Sequence, residues 1–240
     1  IEKIVANDSI DIDIIIHEGE QAYINRVTIK GNTRTNDRVI MREIRTKPGQ
    51  LFSRADLMRT QRELAQLRYF NQESLGQVDI KPNPQDGTVD IEYVVEETST
   101  DQLELSGGWG LNRIVGTLGV SFNNFAIGDV FKRSAWRPVP SGNGQVLSLR
   151  AQSNGIYYQA YNMSFTEPWL GGKKPNALNF GIYHSIQTNG ISIKEDGKYD
   201  SSGNITERQH IKISGVSVGL GKRLVWPDDY FVLYHNMSFQ

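Results

Sequence analysis

The chain has 240 residues, 38% of them hydrophobic, no cysteine and a formal net charge of −1. The missing thiols exclude a disulfide framework and a thiolate zinc site, and no apolar run approaches the roughly 18 residues that a spanning helix needs. A chain of this length holds one or two domains, and if it crosses a membrane it must do so with strands.

Near the N-terminus, Ser9-Ile10-Asp11-Ile12-Asp13-Ile14-Ile15-Ile16-His17-Glu18 sets a pattern that returns 79 positions later as Thr88-Val89-Asp90-Ile91-Glu92-Tyr93-Val94-Val95-Glu96-Glu97. Each copy runs hydroxyl, β-branched, acid, Ile, acid, then an apolar stretch closing on Glu. A period of about 80 residues is too long for a single hairpin or helix pair and long enough for a small domain. Residues 1–20 therefore read as the end of one module and 21–98 as the complete next one, and the chain is expected to be an internal piece of a longer protein. Within the complete module, Tyr23-Ile24-Asn25-Arg26-Val27-Thr28-Ile29 is a β-rich run that stops at the turn signal Gly31-Asn32. The spacing of Val39, Ile40 and Ile44 predicts a helix over 37–45, with Arg38, Arg42 and Arg45 on its other side and Pro48-Gly49 ending it. Ser53 with Asp56 resembles a capping box and opens a second helix over 54–68, whose Leu57, Leu64 and Leu67 share a face. Two strands, 77–81 and 88–97, follow around an Asp-Gly reversal. The order β-α-α-β-β describes an α+β unit, a sheet covered on one face by two helices. Between Arg26 and Arg68 there are eleven Lys or Arg against four acids, a surface suited to an acidic partner or anionic headgroups, or simply to water.

The composition changes at about residue 100: the first 100 residues carry 30 of the 53 charged residues but five of the 23 glycines. Beyond Asp101 the helical period disappears. Leu103, Leu105, Gly107 and Trp109 share one face, as do Ile114, Gly116, Leu118, Val120 and Phe122 on the next run, while Val115, Thr117, Gly119 and Ser121 on the opposite face are small or polar. Further alternating runs at 145–153, 156–166, 177–187, 209–220 and 230–240 bring the expectation to about seven antiparallel strands. Their length, roughly nine to twelve residues, suits a transmembrane barrel better than a soluble sandwich. Connections alternate between short or polar ones (Leu111-Asn112-Arg113, Asn154-Gly155, and 188–208) and those at the other end (123–144, 168–176 and 221–229), each of which carries one tryptophan. Trp136, Trp169 and Trp226 would then lie at one level and Trp109 at the opposite rim, as in the aromatic belts of membrane interfaces. An odd strand count cannot close an antiparallel hairpin barrel, so 99–240 reads as an incomplete, N-terminal barrel portion.

Several segments carry a family resemblance. Ile24-Asn25-Arg26-Val27-Thr28-Ile29-Lys30-Gly31-Asn32-Thr33-Arg34-Thr35 resembles the first strand and turn of a POTRA (polypeptide-transport-associated) module. Lys47-Pro48-Gly49-Gln50-Leu51-Phe52-Ser53 resembles its interhelical turn, and Leu64-Ala65-Gln66-Leu67-Arg68-Tyr69-Phe70 its helix exit. Phe165-Thr166-Glu167-Pro168-Trp169-Leu170 is similar to a segment ending the fourth barrel strand. Together these resemble the BamA-type outer-membrane β-barrel assembly family. The resemblance implies a barrel-proximal POTRA module at 21–98, in the periplasm, followed by the first seven of the family's sixteen barrel strands in the outer membrane. The family's later Arg-Gly-Phe loop signature is not in this stretch. The resemblance also implies a non-enzymatic insertase with no cofactor. Its partners would be nascent outer-membrane proteins, accessory assembly lipoproteins, periplasmic chaperones and the lipid bilayer. The strand edge expected to pair with substrate comprises Leu103, Leu105, Gly107, Gly108, Trp109 and Gly110, and Arg38, Arg42 and Arg45 are candidates for partner or lipid contact. The alternatives are a polypeptide-secreting translocase of the same family and a soluble β-rich binding or adhesion module.

Enzymatic constellations are weak. His17, His184, His210 and His235 have no ligand spacing, and Asp8, Asp11 and Asp13 alternate as on a strand face without a calcium-loop pattern. Gly219-Leu220-Gly221-Lys222 lacks the spacing of a phosphate loop. The basic helices lack an aromatic platform for nucleic acid. Neither a catalytic nor a metal site is expected.

Overall fold

A computed structural model describes residues 2–6, 9–12, 14, 21–110, 113–136 and 138–240. Strands β1 (Glu2–Ala6) and β2 (Ser9–Ile12) pair with each other as an antiparallel hairpin. Most of the remaining run to residue 20, with His17, Glu18, Asp8 and Asp13, lies outside the described residues, as do Leu111 and Asn112.

The next unit is an α+β module of β3 (Tyr23–Lys30), helices α1 (Asp37–Met41), α2 (Arg54–Leu67) and α3 (Gln72–Leu75), and strands β4 (Val78–Asn83) and β5 (Thr88–Val94). Its sheet runs β3-β5-β4, with β5 parallel to β3 and antiparallel to β4. Burial alternates strictly along β5, so Val89, Ile91 and Tyr93 face the helices and Asp90 and Glu92 do not. They pack with Ile24 and Val27 of β3 against Val39, Ile40, Ile44, Leu64 and Phe70. Each fully buried Ile or Leu in such a core contributes about 1.5–3 kcal/mol. The one hydroxyl pair at its centre, Thr46 Oγ1 with Tyr93 Oη at 2.8 Å, is mutually satisfied.

Two local readings change. The first helix stops at Met41, short of residue 45. The Glu43 N–H donates to the Ile40 carbonyl three residues back, and the Arg45 N–H donates to the Thr60 hydroxyl of α2 at 2.9 Å. The tertiary acceptor takes the donor that would have continued the helix. The short α3, capped by the Asn71 side chain accepting from the Glu73 N–H, has too few residues for a periodic signal. The second helix starts as its capping residue requires, with Ser53 Oγ accepting from the Asp56 N–H at 3.2 Å.

From Gln102 onward the chain forms one seven-stranded antiparallel meander: β6 (Gln102–Gly110), β7 (Arg113–Phe125), β8 (Gln145–Asn154), β9 (Tyr158–Glu167), β10 (Asn176–Thr188), β13 (His210–Arg223) and β14 (Val232–Phe239). Between β10 and β13 a small hairpin, β11 (Lys198–Tyr199) with β12 (Ile205–Thr206), extends one end of the sheet. The register produces rows of single character. Leu103, Val120, Leu149, Met163, Ile182, Val216 and Phe239 align across all seven strands. One residue along, on the opposite face, lie Gln102, Ser121, Ser148, Ser164, Gly181, Ser217 and Ser238. Phe122, Leu147, Phe165, Phe180, Val218 and Met237 form a second apolar row. A two-residue period thus gives the sheet one apolar and one polar face over its middle. The apolar face is left open: Leu103, Leu105, Met163, Val216 and Phe239 are all exposed.

Candidate functional site

Two places are candidates for a site: the outer strand of the large sheet, and the junction where the α+β module meets the turns at one end of that sheet.

β6 pairs with β7 from Gln102↔Ser121 to Gly110↔Arg113, and its other edge has no strand beside it among the described residues. It holds Leu103, Leu105, Gly107, Gly108, Trp109 and Gly110 on one nine-residue strand. Leu103, Leu105 and Trp109 are each more than 70% exposed, so this strand offers apolar side chains as well as unpaired backbone. The glycines weaken it: Gly107 faces Gly116 across the ladder, a cross-strand pair with no side chains to pack.

At the junction, each of three turns meets the module's helical side. The first, residues 126–144 between β7 and β8, accepts at the Gly142 carbonyl from the Asn36 N–H (3.0 Å), and Asn143 Oδ1 accepts from Asn36 Nδ2 and Arg38 Nη2 at 2.8 Å each. Tyr69 donates its buried hydroxyl to the Gly144 carbonyl at 3.2 Å; burial pushes that phenol up to about 12, so it remains a donor. The approach is backbone-close, because a Cβ on Gly142 would lie 2.4 Å from the Arg34 carbonyl oxygen. The second turn, 168–175, presents Trp169, whose indole N–H donates to Glu43 Oε1 at 2.8 Å while the Arg42 guanidinium lies 5.4 Å above the ring. Burial raises the Glu43 carboxyl, against the pull of the indole N–H and Arg42, and burial lowers Arg42 against Glu43 and Glu167. The third turn, 224–231, presents Asp229. Its Oδ2 lies 2.5 Å from Arg59 Nη2 and 3.2 Å from Arg45 Nη1, and Arg59 also covers the Tyr230 ring at 4.9 Å. Glu63 completes the set with bonds from Arg45 (2.8 and 2.9 Å) and Arg59 (3.1 Å). Burial would raise Glu63, but the two guanidinium groups outweigh it and hold it low; the Arg59 bond does the same for Asp229.

One residue organises the module's side of this contact. The Glu97 carboxylate accepts from the backbone N–H groups of Thr33 (2.8 Å), Arg34 (2.7 Å) and Thr35 (2.6 Å) and from the Thr33 hydroxyl (2.7 Å). That holds the loop whose Thr35 Oγ1 accepts from Asn124 of β7 at 2.8 Å. Burial alone would raise this carboxyl; the donors from Thr35 and Thr33 reverse the sign and lower it.

Known proteins share this architecture. Residues 22–98 match the POTRA family model, described as a surface antigen variable number repeat. The chain is 30% identical over 168 residues to the outer membrane protein assembly factor BamA of Nitratidesulfovibrio vulgaris, covering 70% of this chain and 19% of that protein. BamA of Neisseria meningitidis serogroup B is 28% identical over 162 residues, covering 66% and 18%. The chain belongs to the BamA family. It spans about a fifth of the length of these BamA relatives. The crystal structure of BamA from Haemophilus ducreyi lacking POTRA domains 1-3 superposes with a TM-score of 0.57 at 15% identity, over 99% of this chain and 52% of that one. CdiB from Acinetobacter baumannii gives 0.51 at 14% identity, over 91% and 38%. In BamA-family terms the α+β module is a POTRA module, and the seven strands form an antiparallel sheet like the BamA barrel, open in this chain.

The predicted site residues divide accordingly. Arg38, Arg42 and Arg45 each face a different barrel turn, or one of its residues, across the junction. Trp136, Trp169 and Trp226 all lie in the turns on the POTRA side, and Trp109 near the far end of β6, but their surroundings differ: Trp169 is engaged by Glu43 and Arg42, whereas Trp109 and Trp226 are 74% and 84% exposed. Glu97, Asn124, Asn143 and Asp229 escaped the sequence reading. Glu97 closes the repeated motif, and Asp229 sits in the third tryptophan-bearing turn; those were the signals available.

Proposed function

We propose that this chain is the POTRA-proximal half-barrel of an outer-membrane insertase, and that β6 templates incoming barrel strands. The single observation that carries the reading is the outer strand itself. β6 is long, apolar on one face, glycine-weakened and paired on one edge only among the described residues. A strand entering lipid must find a partner for each backbone N–H and C=O, at a cost of several kcal/mol for every group left bare, and an open strand edge supplies those partners without covalent chemistry. The apolar rows supply a lipid-facing band in the outer membrane, and the POTRA module lies on the periplasmic side. Nascent outer-membrane proteins are the substrates; accessory lipoproteins and chaperones would meet the POTRA surface. The mechanism needs neither cofactor nor enzymatic group.

A second reading is supported by the polar face. Its serine row would line a hydrated lumen, as a polypeptide-secreting translocase requires. The two differ in what β6 does. A Cβ on Gly108 meets nothing within 4 Å, so Gly108→Val fits the folded sheet while stiffening the strand. In proteoliposomes of the full-length parent, the variant is expected to fold normally and to assemble a substrate barrel severalfold more slowly. An unchanged assembly rate would argue against pairing at β6. A parent that stays monodisperse without detergent would return the soluble binding-module reading.

A further inference from the structure

We propose that the turn between β7 and β8 is a membrane-interface finger, its tip of Ile127, Phe131 and Trp136 with Lys132 and Arg133 seated in the anionic headgroup layer beside the barrel rim. The inference rests on reading the large sheet as membrane-spanning.

The finger is held at its base and exposed at its tip. At the base, the Ala126 N–H donates to the Pro140 carbonyl (3.0 Å), the Gly142 N–H to the Asn124 carbonyl (2.7 Å) and the Ile127 N–H to Gln145 Oε1 (2.6 Å), while the POTRA loop bonds Gly142. Between these points two short 3-10 turns, Ile127–Asp129 and Arg133–Ala135, shape the segment, and the Trp136 indole donates back to the Val130 carbonyl at 2.9 Å. A built segment of this kind has no need to display large apolar groups, yet Phe131 is 97% exposed, and Ile127 and Trp136 about half. An apolar cluster on a fixed support marks a binding surface.

Charge and position select the partner. Residues 127–137 contain one acid and three bases, and the acid, Asp129, is already bonded by Lys132 at 2.7 Å. Excess positive charge beside Phe, Ile and Trp is the composition of a segment that lies in a lipid interface. The finger also leaves the sheet where the apolar face ends: Phe122 and Leu147, the last apolar pair before the turn, belong to the row that continues through Phe165 and Phe180. The finger therefore starts at the end of the sheet where the apolar rows stop, the level at which a lipid band gives way to headgroups.

The test places single nitroxides in the full-length parent, at Phe131→Cys and, to retain the phenyl ring, at Gly128→Cys, where an added Cβ meets nothing within 4 Å. Leu118→Cys on the apolar face and Tyr199→Cys in the opposite-end hairpin serve as lipid and water references. In phosphatidylethanolamine vesicles containing phosphatidylglycerol, collision with oxygen and with a water-soluble nickel chelate is measured by electron paramagnetic resonance. Labels at 131 and 128 are expected to show a nickel collision rate severalfold below that at 199, and K132E/R133E to move it back toward the aqueous value. Aqueous behaviour at 131 and 128 with lipid-like behaviour at 118 overturns the finger and leaves the barrel standing. Aqueous behaviour at 118 overturns both. A label immobilised and shielded from both reagents overturns the lipid assignment in favour of a protein contact, and no response to the charge reversal overturns the headgroup assignment.

Discussion

Gly31→Ala is expected to destabilise the POTRA module by roughly 2–4 kcal/mol, enough to unfold a marginal module. Gly31 directly follows β3 with φ +96°, a conformation that costs any L side chain, and its Cβ would fall 1.9 Å from the Val95 carbonyl oxygen. That oxygen belongs to backbone held in the sheet by the Val95 N–H donating to the Lys30 carbonyl at 2.8 Å, so it cannot swing away as a side-chain tip could. The β3–β5 pairing must open instead. Gly87→Ala separates strain from collision: φ is +62° there, but a Cβ meets nothing within 4 Å. It should cost about 1 kcal/mol. Urea unfolding of the module, followed by circular dichroism, checks both; equal losses would mean that crowding at Val95 contributes nothing.

Glu97→Gln should release the loop that docks the barrel. The carboxylate accepts from three successive backbone N–H groups and one hydroxyl, whereas an amide offers one acceptor and turns two donors toward the others. Charge-assisted bonds of this kind are worth about 1.5–3 kcal/mol each in buried settings, and partial exposure reduces the whole to about 2 kcal/mol here. Because the folded pKa of Glu97 is lowered, its contribution is complete above the ordinary carboxylate range and is lost as the pH falls through the folded value. The protection factors of the Thr33, Arg34 and Thr35 amides, their hydrogen-exchange rates divided into those of unprotected amides at the same pH, should therefore fall on acidification in the parent. In the variant they should be low at every pH. Protection that survives in Glu97→Gln would place the restraint on this loop elsewhere.

How far these features were legible depends on how local their cause is. The seven strands follow from a period of two held over each strand, and their rows could be read because every residue on the apolar face contributes to the same pattern. The module's order was equally local, carried by Gly31, Pro48-Gly49 and the Ser53 cap. Where a distant group intervened, the reading failed: the Thr60 hydroxyl stops α1 early, and four residues are too few to announce α3. The site was legible in kind but not in pairing. The arginines of α1 and its extension stood out as a basic stripe and the tryptophans as one per turn, yet nothing in either pattern says that Trp169 meets Glu43, 126 positions away. Glu97 was harder still, since its partners are backbone donors, which leave no mark in a sequence.

The most direct test of the central claim is a cysteine scan of β6, from Leu103 to Trp109, in the full-length parent, with crosslinking during assembly of an outer-membrane barrel that carries one cysteine in its terminal strand. Templated insertion predicts that the single substrate cysteine crosslinks at the one β6 position in register with it and not at the others. Crosslinks confined to the parent's own last strand would contradict it and point to a sealed pore.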